Sequence, residues 1–334
     1  MKKIMGTPES YVEDMLAGIY AAHGDMVRMV GDNPRCYVAV RKIPGKVAIV
    51  TGGGSGHLPL FLGYVGQGML DGCAVGGVFQ SPSAEEMCEV TKAVDSGAGV
   101  LYLFGNYSGD IMNFEMAGEL ADMDDIKTCI VLGNDDVASA AKGNEGVRRG
   151  VAGIFFMYKC AGAKADEMAS LEEVKAIAEK VGSRVRTMGF ALSPCIIPEV
   201  GKPNFSVDEG DISVGMGIHG EPGIRMQPMM SAKEIAGEAL DAILSDMPFA
   251  PGEQAAVLVN GLGSTPLDEL YILYGEVAKI LAGRGIDVFK VWVGEFATSM
   301  EMAGASISVL RLDDEIKALL SKPAYTPFYS NPQL

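Results

Sequence analysis

Apolar residues follow two rhythms along this chain, and the alternation between them predicts its architecture. Val12, Met15, Leu16 and Ile19 stand three and four residues apart, the spacing of one helix face. Thr7-Pro8-Glu9 ahead of them reads as an N-cap, a first-turn proline and a first-turn acid, and Gly24 reads as a stop. Residues 47–50 form a short unbroken apolar run, the mark of a buried strand, which ends in Thr51-Gly52-Gly53-Gly54-Ser55-Gly56-His57. Ser83 and Glu86 have capping-box spacing for a helix reaching Val94. A strand over 100–104, a helix over 111–120 and a strand over 128–132 follow, the last running into Gly133-Asn134-Asp135-Asp136.

Strand, polar loop and helix in repetition predict an α/β fold with a mostly parallel or mixed sheet flanked by helices. Ligands in such sheets sit beyond the carboxyl ends of the strands, where all three polar loops fall. Helical spacing around 165–181 gives way to a stretch rich in Gly and Pro over 188–226, which reads as short strands and turns. The first rhythm then returns, with strands over 255–259, 288–293 and 307–312 and helices over 267–281 and 313–320. This change of texture divides the chain into two expected α/β domains, 1–184 and 185–334, without internal repeats.

Composition narrows the choice of partners. Against 27 Lys and Arg stand 43 Asp and Glu, a net charge of −16, which repels phosphate backbones and anionic lipid and argues against nucleic acid and membranes as partners. The longest uncharged stretch, 47–70, contains seven glycines and a proline and does not make a membrane helix. No apolar run follows the two lysines of MKKIMGTPES, so no signal peptide is expected. Six cysteines stand singly, without metal or redox spacing, as expected of free thiols in a reducing cytoplasm.

Chemistry has few places to reside. Only three histidines occur. His23 ends the first helix, a position that its partial charge explains. His57 and His219 each lie in a glycine-dense loop, GGGSGHLP and GMGIHGEPG, where the backbone can approach a small ligand closely. Asn106-Tyr107-Ser108-Gly109-Asp110 admits two readings. Ser108 or Asp110 could cap a helix, or the Asp110 carboxylate could act as a general base. No phosphate loop of the form G-x-x-x-x-G-K-[ST] and no protein-kinase motif set is present; if the protein takes part in phosphoryl transfer, its donor is expected elsewhere.

At these residues the sequence resembles a known family. TGGGSGH, FQSPS, GNYSGD, the RRGVAG run, GMGIHGEPG, VNGLGSTPLDELYILY and TSMEMAGASISVLRLDDE look like successive blocks of the K subunit of dihydroxyacetone kinases, in family order and over nearly the whole chain. The resemblance implies a two-domain α/β subunit of the K-subunit type, usually a homodimer. It implies that His219 bonds through a ring nitrogen to the ketone carbon of the substrate as a hemiaminal. Gly54, Ser55, Gly56 and His57 would line the substrate, His57 serving in acid/base work, and Asp110 would be the base for the hydroxyl that accepts phosphate. The K subunit of the family holds no nucleotide. An L-type subunit supplies ATP, or an ADP with Mg that relays phosphate from phosphotransferase-system carriers.

Three positions depart from the family pattern. Leu58 replaces a glutamate after His57, Gly77 replaces an aspartate before Val78, and Gly105 replaces the lysine before Asn106, which contacts substrate in the family. With a charge and its volume lost, a larger ketose such as a tetrulose (erythrulose) becomes an alternative substrate. A non-catalytic carbonyl-binding regulatory module is a further alternative.

Overall fold

A computed structural model describes residues 2–250 and 252–332. Two six-stranded sheets form its frame. The first is built from β1 (Val27–Val30), β2 (Asn33–Ala39), β3 (Ala48–Ser55), β4 (Gly72–Val78), β5 (Val100–Gly105) and β6 (Thr128–Gly133), in the order β1-β2-β4-β3-β5-β6. Its strands β4, β3, β5 and β6 run parallel, and β2 and β1 add an antiparallel margin. The second contains β7 (Val185–Ala191), β8 (Asp211–Val214), β9 (Arg225–Pro228), β10 (Gln254–Gly261), β11 (Asp287–Glu295) and β12 (Gly304–Arg311), in the order β11-β10-β12-β7-β8-β9. Here only β10 and β11 are parallel; the other neighbours run antiparallel. The mostly parallel reading therefore fits the first sheet, and the second is mixed. The connection from Glu295 to Gly304 is too short for a helical crossover, so β12 does not run parallel to β11. A two-stranded hairpin, β13 (Ala324–Tyr325) and β14 (Ser330–Asn331), ends the described fold.

Eight α-helices cover the sheets among the described residues. On the outer face of the first sheet lie α2 (Ala84–Val94) and α3 (Ser108–Asp122), packed on Val50, Tyr102 and Phe104. The outer face of the second carries α6 (Ala232–Asp246) and α7 (Leu267–Gly283), packed on Val257, Val259 and Ile307. Between the sheets lie α4 (Ile154–Asp166), α5 (Leu171–Ser183) and α8 (Asp314–Ser321), and α1 (Tyr11–His23) joins the same core. That core takes Ile49, Leu101 and Leu103 from the first sheet and Leu258, Trp292 and Leu310 from the second.

The elements depart from the sequence reading at specific places. Thr7-Pro8-Glu9 does not start α1: residues 8–10 form a turn, and Ser10, one residue before Tyr11, bonds Asp14 at 2.6 Å instead. The capping box of Ser83 and Glu86 is present as read. The helix spacing at 165–181 merges the end of α4 with α5, which start and stop separately. Helix α4 left no periodic signal, because residues 154–163 are buried on every side. β1, β2 and β4 are additional to the sequence reading, and so is α6, although Ser231 and Glu234 give it a capping box. No helix among the described residues is long and apolar enough to cross a membrane.

Candidate active site

The carboxyl ends of β3, β4 and β5 meet the β8–β9 hairpin and the β11–β12 connection, and His57, Asp110 and His219 converge there. Strand β3 leaves the sheet through Gly56, whose φ of 100° lies where side chains are disfavoured. This turn buries His57, which is 1% exposed. Its Nδ1 lies 2.7 Å from the Thr298 carbonyl oxygen. A carbonyl only accepts, so Nδ1 carries the proton and Nε2 the lone pair. Among the described residues that Nε2 finds no hydrogen-bond partner. Burial, with His219 nearby, pulls the pKa of His57 down to about 3, and the ring is neutral at physiological pH. Thr298 and Met300 donate backbone N–H groups to the carbonyls of His57 and Gly56, so the second sheet's connection fixes the first sheet's loop.

His219 stands across from it on the β8–β9 hairpin. The two rings lie 4.7 Å apart, edge to face. His219 Nδ1 is 2.9 Å from Glu221 Oε1, and its backbone N–H donates to Glu221 Oε2 at 3.0 Å. The carboxylate can only accept, so the Nδ1 proton faces Glu221, and in the neutral ring Nε2 holds the lone pair. Burial opposes ionisation of Glu221, but His219 and Arg149 together hold its pKa at about 2. Phe79 stacks on His57 at 4.8 Å and meets the edge of His219 at 5.3 Å, while Tyr107 closes the other side of His219 at 4.7 Å. Asn204 donates to the His219 carbonyl at 2.9 Å.

Asp110 lies in the first turn of α3, and it does not cap that helix. The N-cap position is Tyr107, with no side-chain cap bond from Ser108 or Asp110. Asp110 is 5% exposed and its Oδ1 meets no partner. Burial pushes its pKa up to about 6, against the opposing pull of the Ser81 hydroxyl and His219. A carboxylate kept short of hydrogen bonds in an apolar place is a base poised near neutrality.

The glycine loop turns out to serve the protein's own packing. A Cβ on Gly54 would lie 2.7 Å from the Gln80 nitrogen, and one on Gly56 would lie 2.8 Å from the Phe79 ring. Ser55 Oγ donates to the Gly76 carbonyl at 2.8 Å. These residues let β3 lie against the turn that carries Phe79, which becomes a wall of the site. The space expected at Gly105 is likewise not open: a Cβ there would lie 3.0 Å from the Tyr107 ring. At Gly77 a Cβ would lie 2.6 Å from the Gln80 side-chain oxygen. Leu58 packs against the central core.

Glu221, Phe79, Tyr107 and Thr298 complete the site; they stand inside the quoted sequence blocks, which assign them no role. Glu221 stands two residues from His219 in the same loop, which is the one local signal for it. Phe79 and Thr298 reach the histidines only through tertiary contacts. Among the described residues no three His, Cys, Asp or Glu groups form a metal-binding cluster.

The model of the Dak1 domain matches residues 17–328. PTS-dependent dihydroxyacetone kinase 1, dihydroxyacetone-binding subunit DhaK, of Listeria innocua is 46% identical over 315 residues, covering 94% of this chain and 95% of that one. D-erythrulose kinase of Mycolicibacterium smegmatis is 44% identical over 98% of this chain, which spans 56% of that longer protein. The native crystal structure of the dihydroxyacetone kinase of C. freundii superposes with a TM-score of 0.91 at 28% identity, over 99% of this chain and 60% of that one.

Proposed function

This chain belongs to the Dak1 domain family, and on that footing we propose that it is the dihydroxyacetone-binding subunit of a dihydroxyacetone kinase, a phosphotransferase subunit that works with a partner. The observation that carries this reading is the facing pair His57 and His219, each with Nδ1 tied to an acceptor, beside the Asp110 carboxylate with its unpartnered Oδ1.

The chemistry follows from the nitrogen atoms. The His219 Nε2 lone pair forms a bond to the ketone carbon, and the carbonyl π pair moves onto oxygen. That oxygen takes up one proton from solvent as the alkylated ring releases its Nδ1 proton to solvent past the Glu221 carboxylate, so one proton enters, one leaves, and the hemiaminal is neutral. Polyols such as glycerol lack a carbonyl and cannot form the bond, so selection rests on reactivity as well as shape. The Nε2 lone pair of His57 accepts a hydrogen bond from the bound substrate. Ionised Asp110 takes the proton of the terminal hydroxyl as its oxygen attacks the phosphoryl group. Gly54, Ser55 and Gly56 form the floor through their backbone.

The donor is ATP with Mg on an L-type subunit; the ATP leaves as ADP, or is regenerated from a held ADP by phosphotransferase-system carriers where the relative's PTS dependence applies. The chain works in the cytoplasm, as a homodimer; free thiols at all six cysteines agree with a reducing compartment.

Titration with ¹³C-carbonyl dihydroxyacetone tests the adduct. The native protein should move the carbonyl signal to that of a tetrahedral carbon, and His219→Ala should not. A confirmed ketose substrate that binds the native protein without this bond overturns the reading. Erythrulose is a second reading, supported by the 44% identity to a D-erythrulose kinase. It presents the same ketone carbon, and kcat/KM for both ketoses with a competent partner subunit separates the two.

A further inference from the structure

The RRGVAG run and the Asp135-Asp136 pair at the end of β6 border this site without a part in it so far. Arg149 turns out to bridge the two. Its Nη2 lies 2.7 Å from Asp136 Oδ2, and its Nε donates to the same oxygen at 2.8 Å. Nη2 also donates to the Gly215 carbonyl at 3.0 Å, at the base of the hairpin that carries His219. Nη1 faces Glu221 Oε2 at 3.9 Å, the oxygen that receives the His219 backbone N–H. The backbone makes room for this pair: a Cβ on Gly217 would lie 2.5 Å from Arg149 Nη1 and overlap Glu221 Oε2.

The guanidinium is thus fixed on the first sheet's loop, with Asp136 almost completely buried, and points its remaining charge at the second sheet's hairpin. A glutamate side chain left alone has several rotamers, and a planar, permanently charged fork selects among them. The rotamer matters because the acceptor at Nδ1 decides which ring nitrogen keeps the proton. Without an acceptor there, the proton is free to sit on Nε2 and occupy the lone pair that attacks the ketone.

We propose that Arg149, anchored on Asp136, is a positioning residue for His219: through Glu221 it keeps the imidazole in the form whose Nε2 lone pair is open. The polar atoms of Arg149 face Asp136, Gly215 and Glu221, so it acts through Glu221. The proposal rests on the reading of His219 as the covalent residue, and its test separates the two.

The test uses the full chain labelled with ¹⁵N-histidine, as native protein and as Arg149→Met, Arg149→Lys and Glu221→Gln. The first readout is the His219 tautomer from its ring nitrogen shifts without ligand. The second is the affinity for ¹³C-carbonyl dihydroxyacetone. In the native protein the proton should reside on Nδ1. In Arg149→Met and Glu221→Gln the Nε2–H form should appear and adduct affinity should fall at least about tenfold, the scale on which lost orienting partners of a functional imidazole act. His57 signals should change little, while Arg149→Met should lose thermal stability because it leaves the buried Asp136 without its partner. Arg149→Lys keeps the charge without the fork and should fall between, and it decides by the same two readouts if Arg149→Met does not fold. A native-like tautomer and affinities within about twofold of native in these variants overturn the proposal. If the native protein forms no adduct, the functional reading fails instead, and the ligand-free tautomer still decides the role of Arg149.

Discussion

At the scale of single residues, the site is built on unsatisfied groups. His57 Nε2 and Asp110 Oδ1 are buried without protein partners, a condition that costs stability unless a ligand relieves it. Asp110 makes the cost measurable. Its pKa is raised from 3.8 to about 6, so the folded protein holds this proton more tightly than the unfolded chain. The group therefore favours folding least at high pH: stability falls as pH rises from about 4 through about 6 and stays lower above. Asp110→Asn should stabilise the protein above that range by on the order of 1–3 kcal/mol, read as a thermal shift. The same change should lower the phosphorylation rate by about 10²–10⁴ with little loss of ketose affinity. In the native protein the rate should rise with pH through about 6, as the base ionises. Full activity in Asp110→Asn, or a rate flat across that range, removes Asp110 as the base. Gly105 belongs to the same scale. A side chain there meets the Tyr107 ring, which itself lies against His219. Gly105→Lys should therefore lower kcat/KM for dihydroxyacetone and for erythrulose alike; a gain for dihydroxyacetone alone would show that the ring yields without moving His219.

At the scale of elements, local signals and tertiary demands part company. Helices α2, α5 and α6 each begin with a serine and a glutamate in a reciprocal capping box, and these starts need nothing beyond local chemistry. Ser170→Ala should cost about 1 kcal/mol in chemical denaturation and leave ketose binding unchanged, because α5 lies far in sequence and function from the histidines. A change in binding would mean that α5 helps to shape the site. Helix α3 is the contrast. Its first turn carries Asp110 without using it as a cap, so the helix gives up a local stabilisation and the carboxylate is left available. Helix α4 is decided entirely by its surroundings. Lys159, on a fully buried turn, spends its ammonium on the Leu319 carbonyl at 2.8 Å, and burial lowers its pKa to about 8.

At the scale of the whole molecule, we propose two domains divided near residue 184 that behave as one unit. One apolar core is shared by both sheets through α4, and the buried Arg148 reaches Asp246 of α6 at 2.6 Å, where Arg186 of β7 also binds. Asp135, at the end of β6, accepts from Thr187 of β7. Unfolding followed by calorimetry and by far-ultraviolet circular dichroism should give one coincident transition. Two separated transitions would show that the domains fold independently. The union has a functional meaning, since His57 and His219 come from different sheets and their 4.7 Å spacing exists only while the two are docked.

The α/β rhythm, the ends of several helices and the candidates His57, Asp110 and His219 are legible in the chain alone. Capping, turn chemistry and strand burial are local, and rare residue types in glycine-rich loops stand out without any structure. The tertiary structure alone decided the rest. It brought Thr298 to His57 and Phe79 to both histidines, contacts between segments far apart in the chain. It filled the space beside Gly105 with Tyr107, where the sequence shows only the lack of a side chain. It also left Asp110 Oδ1 and His57 Nε2 without partners and buried both side chains, and that burial shifts their pKa values. Burial and partnership depend on which segments meet, and a linear pattern of apolar and polar residues carries no record of that meeting until the sheets have packed.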